Sequence, residues 1–356
     1  METPGSAQVP PEVPPEVPPE VSPPSLEPLV AAVAALHELG TVLGATAGDL
    51  ALAPTCPSLR GALVALAHDL ARALRPPPAF PLSTILARAT HDATGDATAP
   101  GANWPEVVAA ARAWQDEVAA AAAAWAGLSR RAAELGELCQ AVATDEGAAV
   151  ARLEATTARL EAAKGRCHRG LGDLLAAAAT RDLLAFDKEE VATALSEHEA
   201  RVARGAAALA EAAEERGEAA EARHEAGVAA GRARRAREAT GPLRGLAAAC
   251  EGAARLHRGI LGRVRAAVAA TEEAARGGHG GGGGGGGGRG GVLAGAEGAE
   301  RAWSAAGGLG RRHLGGIVGD VAVRLAGGGT GAGTGPEVAE RIRRARGDIP
   351  ALLEGK

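Results

Sequence analysis

The sequence predicts an all-α fold: an elongated antiparallel helical bundle or coiled coil, with a disordered Pro-rich N-terminal tail and a Gly-rich C-terminal linker. Three observations predict it. Apolar and small residues recur at alternating steps of four and three through Val107, Ala111, Trp114, Val118, Ala121, Trp125, Leu128, Ala132, Leu135, Cys139 and Val142. Such spacing draws one narrow stripe along a helix, a seam that is buried only against another helix. Strong helix breakers cluster at a few points and leave long uninterrupted stretches between them. Finally, the chain of 356 residues has no Tyr, two Phe and four Trp. A thick globular core lacks its usual fillers, and thin seams between long helices suit this inventory better.

The chain begins with Val9-Pro10-Pro11-Glu12, repeated through Val13 to Glu20. Proline at half the positions forbids helix and sheet, so residues 1–25 read as an extended polyproline-II tail. Residues 26–90 read as a short α-hairpin region. Its first helix carries Leu29, Val33, Leu36, Gly40, Leu43, Ala47 and Leu50. Its second starts at a capping Ser58 and carries Leu59, Leu63, Leu66, Leu70 and Leu74 before Pro76-Pro77-Pro78 stops it. A short helix over residues 82–89 follows, then a polar loop over 91–102.

Residues 103–276 form the long bundle. Asn103 caps, Pro105 occupies the first turn, and Glu106 completes a capping box. The ladder steps by four twice at Val142, Glu146 and Val150, an inserted half-heptad, and then runs on through Leu153, Thr157 and Leu160. Gly165, Gly170 and Gly172 weaken the end of this helix. A turn over residues 180–187 leads to a second long helix with Val191, Leu195, His198, Val202, Gly205 and Leu209 on one stripe. Gly241-Pro242 reads as a break. A third helix then carries Leu243, Leu246, Cys250, Ala253, Leu256 or His257, Ile260, Val264 and Ala267. Three segments joined by tight turns imply an up-down-up bundle. Part of the first segment extends past what the other two cover, so a homodimer or a helical partner is expected. Residues 277–292, almost pure Gly, form a flexible linker, and 293–356 a weakly helical, basic tail.

Chemical motifs are absent. None of the three Lys follows a Gly in a phosphate-binding loop, and no Ser sits in a nucleophile elbow. His37-Glu38 and His224-Glu225 lack the second His of a zinc motif, and Cys167-His168 point about 100° apart on a helix. No catalytic residue, metal site or cofactor is expected, and no small-molecule substrate is evident. A net charge of −5, with no aromatics among the basic clusters, argues against nucleic acid. The interaction seam is assigned to Val107, Trp114, Val118, Trp125, Leu128, Leu135 and Val142, with Val191, Leu195, Val202 and Leu209. Arg341, Arg343, Arg344 and Arg346 form a possible anion-contact patch suited to an anionic membrane surface. Four scattered Cys, no apolar leader and no long apolar run read as a cytoplasmic or nuclear protein. The expected function is a non-enzymatic coiled-coil adaptor or scaffold, and the alternative is a peripheral membrane-binding helical protein.

Overall fold

Two long helices frame the molecule, and the shorter helices pack on them or on one another. The computed structural model describes residues 25–44, 58–75, 84, 104–179, 188–277, 286–326 and 335–354, and these contain helix and no strand. The elements are α1 (Glu27–Gly44), α2 (Leu59–Ala73), α3 (Trp104–Ala179), α4 (Lys188–Gly277) and α5 (Gly286–Leu309). A π-helical turn, Gly310–Leu314, leads into α6 (Gly315–Leu325), α7 (Gly335–Gly347) and α8 (Ile349–Leu353). The polyproline tail, the 82–89 helix apart from Thr84, Asn103 and the 180–187 turn lie outside the described residues.

Helix α3, of 76 residues, lies antiparallel on α4, of 90. The register is fixed by pairs whose numbers rise on one helix and fall on the other. Arg112 bonds Glu272 at 2.7 Å, Ser129 Oγ donates to the Ala247 carbonyl at 2.9 Å, and Arg232 bonds Glu146 at 2.8 Å. Trp114, Val118, Trp125, Leu128 and Leu135 are buried as the ladder requires. Val107 and Val142 are only half-buried. At the far end of the ladder Ala143 takes the inward position, and Ala122 replaces Ala121. These slips follow from 3.6 residues per turn drifting against a strict heptad.

Three sequence expectations are corrected. First, Gly241-Pro242 does not break the chain, and α4 passes straight through Pro242. The missing N–H and ring clash cost about 3 kcal/mol. Gly241 has no Cβ to strike the proline ring, which removes the usual restriction on the preceding residue. Leu243 and Leu246, just beyond, are buried. At about 1.5–3 kcal/mol each their burial exceeds the proline penalty, and it requires a continuous helix. The bundle is therefore a two-helix frame with α4 long enough to cover α3. The length mismatch that called for a second chain is gone.

Second, α1 and α2 do not pair with each other as a hairpin. Helix α1 packs on α4, α6 and α7, whereas α2 packs on α6 and α3. Ser58 does cap α2, its Oγ accepting the Gly61 N–H at 2.9 Å. Third, residues beyond the glycine tract are not a loose tail. Helix α5 starts at Gly286, inside that tract, and α5 to α7 complete the core through Trp303, Leu309, Leu314, Ile317, Val321, Val338 and Ile342. Gly310 makes this possible. A Cβ there would lie 2.0 Å from the Leu74 carbonyl oxygen, so only glycine lets the π-turn meet the end of α2.

At the waist, Trp125 of α3 stacks on His257 of α4 with centroids 6.1 Å apart, and Trp303 of α5 meets the other side edge-on at 5.7 Å. His257 is 1% exposed, and its Nδ1–H donates to the Ala253 carbonyl at 2.8 Å. Burial lowers its pKa, a shift partly opposed by that hydrogen bond. Burial likewise pushes the Cys250 thiol up to about 12, which keeps it protonated as a small hydrophobe.

Two outcomes are expected. Pro242→Ala restores a helical hydrogen bond and should stabilise the protein by about 1–3 kcal/mol at unchanged helix content, read by urea titration. A loss of stability would mean that proline is required at a local turn. His257 folds neutral, so its contribution is complete above the unfolded pKa of 6.5 and declines as pH falls through and below that value. Melting temperature should drop on acidification from about pH 7.5 to 5, and His257→Leu should make that drop smaller.

Candidate interaction surface

The core clusters end where the surrounding helices end. On α3 the last buried residue among the described side chains is Ala143, and on α4 the main cluster starts at Ala236. Beyond those points α3 and α4 continue as a bare two-helix arm. From residue 144 to 179 it is about 54 Å long at 1.5 Å per residue. Among the described side chains the buried hydrophobics of the arm are Ala219, Ala222, Ala229 and Ala233, all on α4. Leu153, Thr157 and Leu160 of α3 are half-buried opposite them, and Leu171 is half-buried further along, opposite Gly205.

The stripe assigned to the second long helix lies on this arm, and it is not in the α3/α4 seam. Leu195, Val202 and Leu209 are 58%, 58% and 53% exposed. Gly205 marks the inward direction, since a Cβ there would lie 3.5 Å from Leu171 Cδ1. At 100° per residue, Leu195, Val202 and Leu209 turn roughly 40–80° from Gly205 toward one flank. They recur every seventh residue and form a straight outward ridge. Ala206 and Ala213 extend the same flank and are exposed. The charged Arg201 and Glu197 turn the other way and bond each other at 2.9 Å. Side-chain surroundings of Val191 lie outside the described set.

Helix α3 carries a matching feature on the same flank. Ala158, Gly165 and Gly172 also recur every seventh residue, turned roughly 100–140° from Leu171. In antiparallel helices the same sense of rotation from the facing residues leads both to one side. The Arg223–Glu161 ion pair bridges the helices on that side. A Cβ at Gly165 or Gly172 would meet nothing within 4 Å. The sequence showed these glycines only as helix weakeners. Their seven-residue spacing was the available signal, but it gains meaning only when the neighbouring ridge is known.

The four arginines of the possible anion-contact patch have carboxylate neighbours, and Arg343 and Arg344 stay largely exposed. Arg341 bonds Asp320, Arg343 and Arg344 bond Glu340, and Arg346 reaches across to Glu27 of α1 at 2.6 Å. All four therefore have carboxylate partners, and the helix carrying them is anchored by buried Val338, Ile342 and Ala345. An open groove between α2 and α3 is lined by Asp69, Arg72, Arg131, Ala120, Ala124 and Leu128. Two of its arginines, Arg131 and Arg72, bond Asp69 at 2.7 and 3.0 Å. Among the described residues no three His, Cys, Asp or Glu converge as metal ligands, and no helix is long and apolar enough to cross a membrane. No protein-family model, curated protein or solved structure matches the chain.

Proposed function

We propose that the chain is a non-enzymatic coiled-coil scaffold, acting in the cytoplasm, that associates with other helices through the α3/α4 arm. The observation that carries this reading is the ridge of Leu195, Val202 and Leu209, exposed at heptad spacing on a two-helix arm that the other described helices leave bare. A single exposed Leu needs no explanation, but three in one straight row present the pattern that a further helix buries. Cys250 and His257, whose ionisation burial shifts, are enclosed in the core and support packing rather than catalysis. The peripheral-membrane alternative is less favoured, because each arginine it relies on has a carboxylate neighbour within the chain.

The ridge sets the strength of association. Burying the exposed half of each ridge residue contributes about 1–2 kcal/mol. Lost translational and rotational freedom costs about 4–15 kcal/mol, so the contact is weak unless the small residues of the same flank pack closely too. Association should therefore depend on concentration and survive high salt.

Sedimentation velocity of the full chain over about 1–100 µM tests this. Larger species should form as concentration rises, at low and high salt alike. Leu195→Glu with Val202→Glu and Leu209→Glu should remain monomeric with unchanged helix content. A monomeric wild type at every concentration overturns self-association through the arm. If that monomer also floats with anionic vesicles at low salt and is released at high salt, the membrane reading takes its place.

A further inference from the structure

We propose that the arm carries its own register code: five charge pairs between α3 and α4 fix which residues of the two helices face one another. This pairing is internal to the arm and independent of what the arm binds. A seam of small residues does not choose a register. Ala219, Ala222, Ala229 and Ala233 are the buried hydrophobics among the described side chains of the arm, and a slip of one heptad sets them on much the same surface. Yet the register holds without slip. Ser129 meets Ala247 and Leu171 meets Gly205, 42 residues further along α3 (129 to 171) and 42 back along α4 (247 to 205).

Exposed charges supply what the seam lacks. In that register Asp145 lies level with Arg232, Arg152 with Glu225, Arg159 with Glu218, Arg166 with Glu211 and Asp173 with Arg204. Each pair is one heptad from the next, and all ten residues are exposed. At 100° per residue, Arg204 turns about 100° from Gly205 and Arg166 about 140° from Leu171, both to the flank opposite the ridge. Arg232 already closes on this flank, bonding Glu146, the neighbour of Asp145, at 2.8 Å. The eight charges of the other four rungs make no ion pair among the described residues. Small residues, Thr156, Ala163 and Gly170, lie between the arginine row and α4, and a Cβ at Gly170 would meet nothing within 4 Å. Arg152 and Arg159 have only Ala and Thr one turn away on α3, so their opposite charges come from α4.

The order of signs sets the register. Along α3 the rungs read minus, plus, plus, plus, minus, and along α4 plus, minus, minus, minus, plus. In register all five rungs are attractive. A slip of one heptad in either direction leaves four rungs, two attractive and two repulsive, so the net attraction disappears. Two α3 rows, or two α4 rows, brought together in register set like charge on like at every rung.

The test keeps composition and net charge constant and changes only the register. In the full chain, Glu218→Arg is combined either with Arg159→Glu, which rebuilds one rung with its signs exchanged, or with Arg152→Glu, which leaves like charges at two rungs. All three positions are exposed, so neither variant disturbs the core. Hydrogen exchange of arm amides reads the opening of the arm, with body amides as internal reference. The Arg152 variant should open about 2–20-fold more than the Arg159 variant, since each exposed pair changes an equilibrium about 1.4–5-fold. The difference should shrink between about 20 mM and about 1 M salt as the charges are screened. Equal protection in the two variants, greater opening of the Arg159 variant, or a difference that salt does not reduce overturns the register code.

Discussion

The contact of α3 with α4 is the constraint on which the structure depends. It runs from the Arg112–Glu272 pair at one end to the Leu171–Gly205 approach near the other. A seam built largely from Ala brings helix axes close but removes little apolar area from water per residue. The body compensates with larger residues contributed from outside the seam. Leu29, Val33 and Leu36 come from α1, Leu63, Leu66 and Leu70 from α2, and Trp303 and Leu309 from α5. Among the described residues no such contribution reaches the arm, where Ala219, Ala222, Ala229 and Ala233 are the buried hydrophobics. Stability must therefore decline from body to tip, and the least stable part of the frame is also the part with an uncovered ridge.

Much of this was legible because hydrophobic period survives a biased composition. The stripe from Ala111 to Cys139, the Leu59 to Leu74 row and the Leu243 to Ala267 row are all inward-facing, with His257 rather than Leu256 at the inner position. What failed were local rules applied without tertiary context. Proline after glycine is a good stop signal, yet at Gly241-Pro242 the neighbouring Leu side chains outweighed it. Of the arginines around Ile342, Arg341 and Arg346 bond Asp320 and Glu27, which are remote in sequence, so these pairs could not be read from it. Glycine density beyond residue 286 suggested slack chain, whereas Gly310 is there because α2 comes too close for a Cβ. Sequence period says which face is inward, but not which element meets it.

The same limit explains the candidate surface. Leu195, Val202 and Leu209 were grouped correctly as a stripe and assumed to face the seam. Gly205, in the same 4-3 pattern, is the residue that does face it. In this arm the row containing Gly205 meets α3, and the row of Leu195, Val202 and Leu209 stays exposed. The larger row is the uncovered one, an inversion that wastes apolar area in a monomer.

The half-heptad at Val142, Glu146 and Val150 gives a physical reason for the change from body to arm. In the body, α3 must present one face to α4 and adjoining faces to α2 and to the core built by α5, so its buried stripe is broad: Leu135, Gly136, Cys139 and Ala143 are all buried. An inserted half-heptad rotates the stripe relative to a strict seven-residue repeat. Past Ala143 the large residues Leu153, Leu160 and Leu171 sit half-exposed beside the seam. The insertion thus separates a stretch that meets several helices from one that meets a single helix, and the arm emerges where that change occurs. An arm held by one narrow seam, with apolar area left on its flank, gains more from a second arm than the wrapped body could. That difference leaves the uncovered apolar row on the arm, away from the Trp125–His257–Trp303 waist that holds the body together.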